Sequence, residues 1–413
     1  MKTMSHAALS AMLILTLMLS GCALPATDPA GALPEPVDEL DEGLVSANTA
    51  FALDLLGELR RDHPGEDLFF SPASVSLALA MTYNGADGET FDAMARTLRL
   101  GEMSLDRVNR GFADLLTILK NPDPELELSI ANSIWARQGM PFKEEFLKTN
   151  QEYYGAETRE LDFDDPGAPD IINSWVEEAT RGRIEDMLDD IRPDSIMFLI
   201  NAIYFGGSWT EEFDPEMTRE DDFHRTNDRV RVPFMNREGD YPYHDGDGFK
   251  AVAIPYGQER LSMYILLPDE GEDVDGLIDG MNSESWDGVV EGLSPTKVNL
   301  SIPRFTVEFE ASLADPLRNL GMAVAFDEAD ADFSGMYPIT ASENVFIQDV
   351  KHKAFVTVDE SGTEAAAATS VEIGVTSMPQ MTTFRADSPF VFAIADSATS
   401  SILFLGIVNG SGF

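Results

Sequence analysis

Few residues in this chain could do chemistry, and their spacing does not favour it. Its five histidines (His6, His63, His224, His244 and His352) show no spacing that would let two share a metal ion. Gly246-Asp247-Gly248-Phe249-Lys250-Ala251 fits the G-x-G-x-x-A dinucleotide pattern. It precedes a predicted strand, however, where that pattern needs a strand before it and a helix after, so a β-turn is expected instead. Ser294-Pro295-Thr296-Lys297 matches the S-x-x-K acylation motif but leads into a strand, and no K-T-G follows. Asp330, Asp332, Ser334 and Gly335 begin like a calcium loop, yet its twelfth position would be Ala341 rather than a bidentate Glu. No G-x-S-x-G occurs. With no nucleophile–base pair to name, an enzyme such as a lipid-anchored hydrolase has no residues to support it. Neither a metal nor a cofactor is expected.

The informative segment runs from Val356 to Gln380. It begins as a strand, and Gly362 then permits a change of backbone direction. Four consecutive alanines follow, Ala365 to Ala368, and locally they read as helix. With period two, Thr363, Ala365, Ala367, Thr369, Val371 and Ile373 share one face. Glu364, Ala366, Ala368, Ser370 and Glu372 share the other, so the segment is equally competent as a strand. Small residues on the inward face suit a strand that must enter an already packed sheet, because extra volume there costs about 1–3 kcal/mol. Gly374 to Gln380 reads as an exposed tip, with Pro379 keeping it extended.

The chain of 413 residues carries 28 Lys plus Arg against 73 Asp plus Glu, a net charge of −45. So negative a surface repels phosphate backbones and anionic membranes, which argues against nucleic-acid partners and basic membrane patches. The acids are scattered, as on a solubilising surface suited to a saline setting. There is one cysteine, Cys22, so no intrachain disulfide can form. Lys2 and the apolar run Ala7 to Leu19 read as an export signal, and Leu19-Ser20-Gly21-Cys22 resembles a bacterial-type lipobox. The expected organisation is a signal over 1–21, an acidic, proline-rich tether over 22–42 starting at a lipidated Cys22, and one folded domain over 43–413. That places the chain at the cell surface or outside it, touching the membrane only through its lipid.

Along the body, apolar periodicity predicts helices at Val45–Arg60, at Ser71-Pro72 with a face of Val75, Leu79 and Tyr83, and at Thr90–Leu98. Further helices are predicted at Leu105–Lys120, Pro141–Tyr154, Ile171–Thr180, Leu277–Met281 and Ala311–Leu320. Predicted strands are Leu126–Arg137, Ser195–Phe205, Tyr241–Tyr243, Ala251–Tyr256, Leu261–Leu267, Val298–Val307, Phe355–Val358, Phe390–Ala395 and Ser401–Val408. Helices first and strands later indicate an α+β fold with large antiparallel or mixed sheets.

From about residue 45 to 413 the sequence resembles the serpin family. Asp67-Leu68-Phe69-Phe70-Ser71-Pro72-Ala73-Ser74 is similar to that family's N-[IL]-F-F-S-P-x-S segment, with Asp67 where Asn is usual. The likeness continues through Asn173 to Leu188, with Thr180, Gly182 and Ile184, and through Asn201-Ala202-Ile203-Tyr204-Phe205 with Gly207 and Trp209. It extends over Ser301-Ile302-Pro303-Arg304-Phe305, His352-Lys353-Ala354, Asp359 to Ala366, Asp387-Ser388-Pro389-Phe390 and Phe404-Leu405-Gly406.

The resemblance implies three β-sheets, about eight or nine helices and an exposed reactive loop near 360–380. It also implies suicide-type inhibition: a serine protease attacks the loop, and the cut loop inserts into the central sheet and traps the acyl-enzyme. A cysteine protease is the other target class it admits, and the inhibitor is expected to be a monomer. Ser71, Ser74, Asn201 and His352 match the family's shutter; Trp209, Arg304 and Glu360 match its breach. Glu360, Gly362, Thr363, Glu364 and Ala365, Ala366, Ala367, Ala368 match its hinge. The family's usual hinge length puts the reactive bond at Thr376-Ser377, with Val375-Thr376 as the alternative. No Lys or Arg lies between Gly362 and Phe384, so an elastase-like or subtilisin-like target is expected. With no basic helix face, activation by a heparin-type cofactor is not expected. The alternative is a non-inhibitory serpin acting as a binding or chaperone module; the small hinge residues favour inhibition over it.

Overall fold

The computed structural model describes residues 40–119, 123, 126–339, 344–363 and 381–413. The first half alternates helix and strand: α1 (Glu42–Asp62), β1 (Leu68–Phe70), α2 (Pro72–Tyr83), α3 (Gly88–Thr97), α4 (Leu105–Leu119) and β2 (Leu126–Arg137). It continues through α5 (Glu144–Tyr154), β3 (Glu157–Leu161), α6 (Ala168–Ala179) and β4 (Met197–Ser208). Strands then dominate: β5 (Arg219–His224), β6 (Arg229–Asp245), β7 (Phe249–Pro255) and β8 (Leu261–Pro268). After α7 (Val274–Gly280) and α8 (Ser283–Gly292) come β9 (Ser294–Pro303), β10 (Phe305–Ser312) and α9 (Ala314–Leu317). The last strands are β11 (Lys351–Val358), β12 (Gly362–Thr363), β13 (Thr382–Arg385), β14 (Phe390–Asp396) and β15 (Ile402–Val408).

Among the described residues these strands form two hydrogen-bonded sheets. The six-stranded sheet has the order β10-β11-β12-β4-β2-β3. The nine-stranded path runs β1-β15-β14-β8-β7-β6-β9-β13, with β5 on β6. The last three residues of β6, Tyr243 to Asp245, join β7, while the rest of β6 pairs with β9 and β5. The three sheets implied by the family correspond to the six-stranded sheet and the two leaves on either side of this junction.

α2 lies at the centre of the molecule. Every residue in it except Ala78 is buried, so the single apolar face expected from the sequence was too narrow. Ser71 caps it and Pro72 opens its first turn, as helix starts favour. Phe69 stacks on Phe392 and Phe404 at centroid distances of 5.7 and 5.4 Å, joining β1 to β14 and β15. A second, smaller core packs α6 on the other face of the six-stranded sheet, with Ile172 and Val176 meeting Trp135, Ile200 and Ala202.

Two expectations are corrected. The strand expected over Val298–Val307 is two strands in different sheets, β9 and β10. The chain breaks pairing at exposed Arg304, whose N–H donates to the Pro233 carbonyl at 2.9 Å. The helix expected over Ala311–Leu320 starts only at Ala314, runs regularly to Leu317 and continues as a wider π-type turn, Arg318–Met322. Ser312 stays extended, its hydroxyl on Asp349 at 2.5 Å, and Gly321 at φ +111° ends regular helix.

Candidate functional site: a polar latch beneath a sheet seam

β4 and β11 face each other in the six-stranded sheet, but among the described residues only β12 joins them. Gly362 pairs with Ser208 and Thr363 with Gly207 on β4, while Thr363 also pairs with Val358 on β11. Beyond this two-residue wedge the facing strands line a small gap of about 10 Å³ at Ile203, Phe205, Ala354 and Val356. Further along, a cavity of about 600 Å³ opens between Met197–Asn201 of β4 and Lys351–Lys353 of β11, with α2 beneath it. Ile184, Met187 and Leu188 also line it. That segment is tied to α6 by Asn173, whose Oδ1 accepts from Met187 and Leu188 N–H at 3.0 and 2.8 Å.

Ser71, Ser74, Asn201 and His352 come together at this cavity in one network. The Ser71 hydroxyl donates to the Leu403 carbonyl at 2.7 Å and accepts from Ser74 N–H at 3.1 Å. Ser71 N–H donates to His352 Nε2 at 3.2 Å, which leaves the ring proton on Nδ1. The Ser74 hydroxyl donates to Asn201 Oδ1, linking α2 to β4. Burial holds the His352 pKa down at about 4, so the ring is neutral near pH 7. The sequence reading missed two further members. Asn201 donates to Asn132 Oδ1 at 2.5 Å, and Asn132 donates to the Tyr154 carbonyl at 2.8 Å. Asn132 is buried within β2, and an asparagine amid an apolar strand was the available signal.

Trp209, Arg304 and Glu360 meet at the wedge end of the seam. The buried Glu360 carboxylate accepts from Arg304 and from the Thr218 hydroxyl. Burial, the largest single influence, would raise its pKa, but the Arg304 and Thr218 donors, a backbone N–H and the Arg304 charge together make the net shift downward. Trp209 Nε1 donates to the Asp359 carbonyl at 2.9 Å, and its N–H to the Ser361 carbonyl at 3.0 Å. Gly362 has φ +147°, and a Cβ there would collide with the Gly207 carbonyl and Ser208 Cα, so the wedge requires glycine. Thr363 is 1% exposed, and its hydroxyl lies 2.7 Å from the Tyr256 hydroxyl, a partner the sequence did not disclose. Glu364, Ala365, Ala366, Ala367, Ala368, Val375, Thr376, Ser377 and Cys22 lie outside the described residues.

Asp67, the departure from the resembled motif, has a distinct structural partner set. Its Oδ1 accepts from Asn409, Gly410 and Ser411 N–H at 2.6, 2.7 and 3.2 Å, and its Oδ2 from Gly412 N–H at 2.7 Å. Both carboxylate oxygens are used, which a neutral amide could not reproduce.

Among known proteins, the family model described as Serpin (serine protease inhibitor) matches residues 46–410. A serpin-like protein of Thermococcus kodakarensis is 39% identical over 381 residues, covering 89% of this chain and 87% of that one. The human leukocyte elastase inhibitor is 34% identical over 379 residues, covering 88% of this chain and 98% of that one. Among solved structures, the thermophilic serpin tengpin in its native state superposes with a TM-score of 0.82 at 33% identity, covering 91% of this chain and 96% of that chain.

Proposed function

The chain belongs to the serpin family, and from that premise we propose that it is a single-use inhibitor of serine proteases. The observation that carries this reading is β12, a two-residue strand already wedged between β4 and β11, with a cavity along the seam beyond it. Continuing its register one residue for one residue sets Ala365 and Ala367 on the inward face and Thr369 opposite Asn201 and His352. Ile373 then faces Met197 at the end of β4. The small residues at these positions support entry into a packed sheet without overpacking.

In the proposed reaction the protease serine oxygen attacks the Thr376 carbonyl. The Thr376–Ser377 amide breaks, an ester to the protease forms, and the Ser377 amine leaves with the proton. Insertion of residues 364–373 then outruns hydrolysis of the ester. The uncharged loop favours a protease with a small or apolar specificity pocket, elastase-like or subtilisin-like. A relative named for inhibiting leukocyte elastase supports that class. We also propose that Cys22 carries a lipid that holds the domain at the cell surface. Unchanged membrane retention of a Cys22→Ser chain would remove that anchor.

The test is a denaturing gel of the detergent-solubilised full chain mixed with an elastase-like and a subtilisin-like protease. An SDS-resistant band near the summed mass is expected. Loop cleavage with both proteases still active, and no gain in melting temperature after cleavage, would overturn inhibition in favour of a binding or chaperone role.

A further inference from the structure

Tyr256 follows β7 and is fully buried where the seam begins. Its ring stacks on the Trp209 indole at a centroid distance of 4.4 Å and meets Phe205 edge-on at 5.1 Å. Two aromatic neighbours therefore fix the direction of its hydroxyl. That hydroxyl's partner is the buried Thr363 Oγ1, 2.7 Å away, on the second and last residue of β12. Burial raises the phenol's pKa, so it keeps its proton through the physiological range. Trp209 also donates to both carbonyls flanking Glu360, those of Asp359 and Ser361. Trp209, through its indole and its backbone N–H, therefore holds the approach to β12 while the tyrosine stacked on the indole holds β12 itself.

We propose that Tyr256 is a positioning residue for loop insertion. Its hydroxyl pairs with that of Thr363, so the incoming strand is started at Gly362 and Thr363 before any protease cuts the loop. The inference rests on the inhibitory reading and specifies how the sheet is primed. Starting a strand is costly, because residues are ordered before neighbouring pairs compensate for it. A strand already begun needs only to be extended. In a race between insertion and ester hydrolysis, that head start decides how many inhibitor molecules are cut and wasted for each protease trapped.

The pair can be tested with the detergent-solubilised full chain and whichever protease the wild type traps. The quantity read is the moles of inhibitor consumed per mole of protease inactivated. Tyr256→Phe keeps the ring stack and removes only the hydroxyl; Thr363→Val keeps the shape and removes the other. Each leaves one buried hydroxyl without its partner, so each should raise consumption by at least about threefold. The double variant leaves neither hydroxyl behind and should return to within about twofold of wild type. Thr363→Ser keeps the hydroxyl and should match wild type. A loss of general packing would leave the double variant as impaired as the singles, and that result overturns the inference. So does a Tyr256→Phe chain with unchanged consumption while the wild type traps normally. A wild type that is cut without trapping and gains no melting temperature on cleavage overturns the inhibitory reading and this inference together.

Discussion

At the scale of single residues, His352 shows how burial sets a charge state and the charge state sets stability. Its Nε2 accepts from Ser71 N–H, and the edge of the ring pair with Phe70 closes another side. Burial holds its folded pKa at about 4, against an ordinary histidine value near 6.5. Between those two values the unfolded chain binds the extra proton and the folded chain does not, so stability rises with pH. The contribution is complete above about pH 6.5 and is lost as pH falls towards 4. The gap corresponds to about 3 kcal/mol. His352→Gln keeps an acceptor for Ser71 and removes the titration. The wild type should therefore lose about 3 kcal/mol more than this variant between about pH 7 and pH 4, read from urea midpoints. Equal losses would mean that protonation of His352 does not govern the cluster. Asp67 shows a side chain acting as a tie: four backbone N–H groups of the C-terminal turn, Asn409 to Gly412, converge on its two oxygens and fasten the chain end to β1.

At the scale of elements, the seam between β4 and β11 makes parity testable. In the inserted strand proposed above, Ala367 would face inward and meet the buried Ile203 and Ala354, whereas Ala366 would lie beside the half-buried Tyr204 and Phe355. A carboxylate at the first position would be buried without a partner, at a cost of several kcal/mol. Ala367→Glu should therefore raise inhibitor consumption more than about tenfold, while Ala366→Glu changes it far less. Equal effects would refute the register. Period-two patterning and small residues are local properties of the loop, so the expectation that it can enter a sheet rests on the sequence alone. Ser71, as helix cap ahead of Pro72, was legible for the same reason. Tyr256 was not legible, since its partner lies 107 residues away and nothing local marks the contact. The break at Arg304 was legible but overlooked: the apolar positions are Val298, Leu300 and Ile302 in β9 but Phe305, Val307 and Phe309 in β10, a shift of phase at Pro303-Arg304 where the two strands enter different sheets. α8 was missed although Asn282 and Ser285 form a capping box, because Trp286 and Val289 are its only buried side chains.

At the scale of the whole molecule, the charge opposes compactness. With 73 acids and 28 Lys plus Arg, pairing every cation with one acid still leaves 73 − 28 = 45 negative charges uncompensated. Many of the ion pairs that do form are exposed on at least one side, such as Arg110–Asp106 and Arg192–Asp194, and each such pair contributes about 0–1 kcal/mol. Repulsion among the remaining acids acts across the entire surface and is long-ranged. Salt weakens both effects, but the repulsion is the larger, so added salt should stabilise the fold. Raising NaCl from about 0.01 M to about 1 M shortens the Debye length from about 30 Å to about 3 Å. The melting temperature in scanning calorimetry should rise by several degrees over that range. The gain should shrink below about pH 4, where carboxylates take up protons and the repulsion disappears by another route. A melting temperature that fell with salt at pH 7 would mean that the exposed ion pairs outweigh the uncompensated acids. The surface would then work as a stabilising network and not as a solubilising one. A rise at pH 7 that persisted undiminished at pH 3 would point to a salt effect on apolar burial instead. Only a rise that fades with acid assigns the effect to the chain's own negative charge.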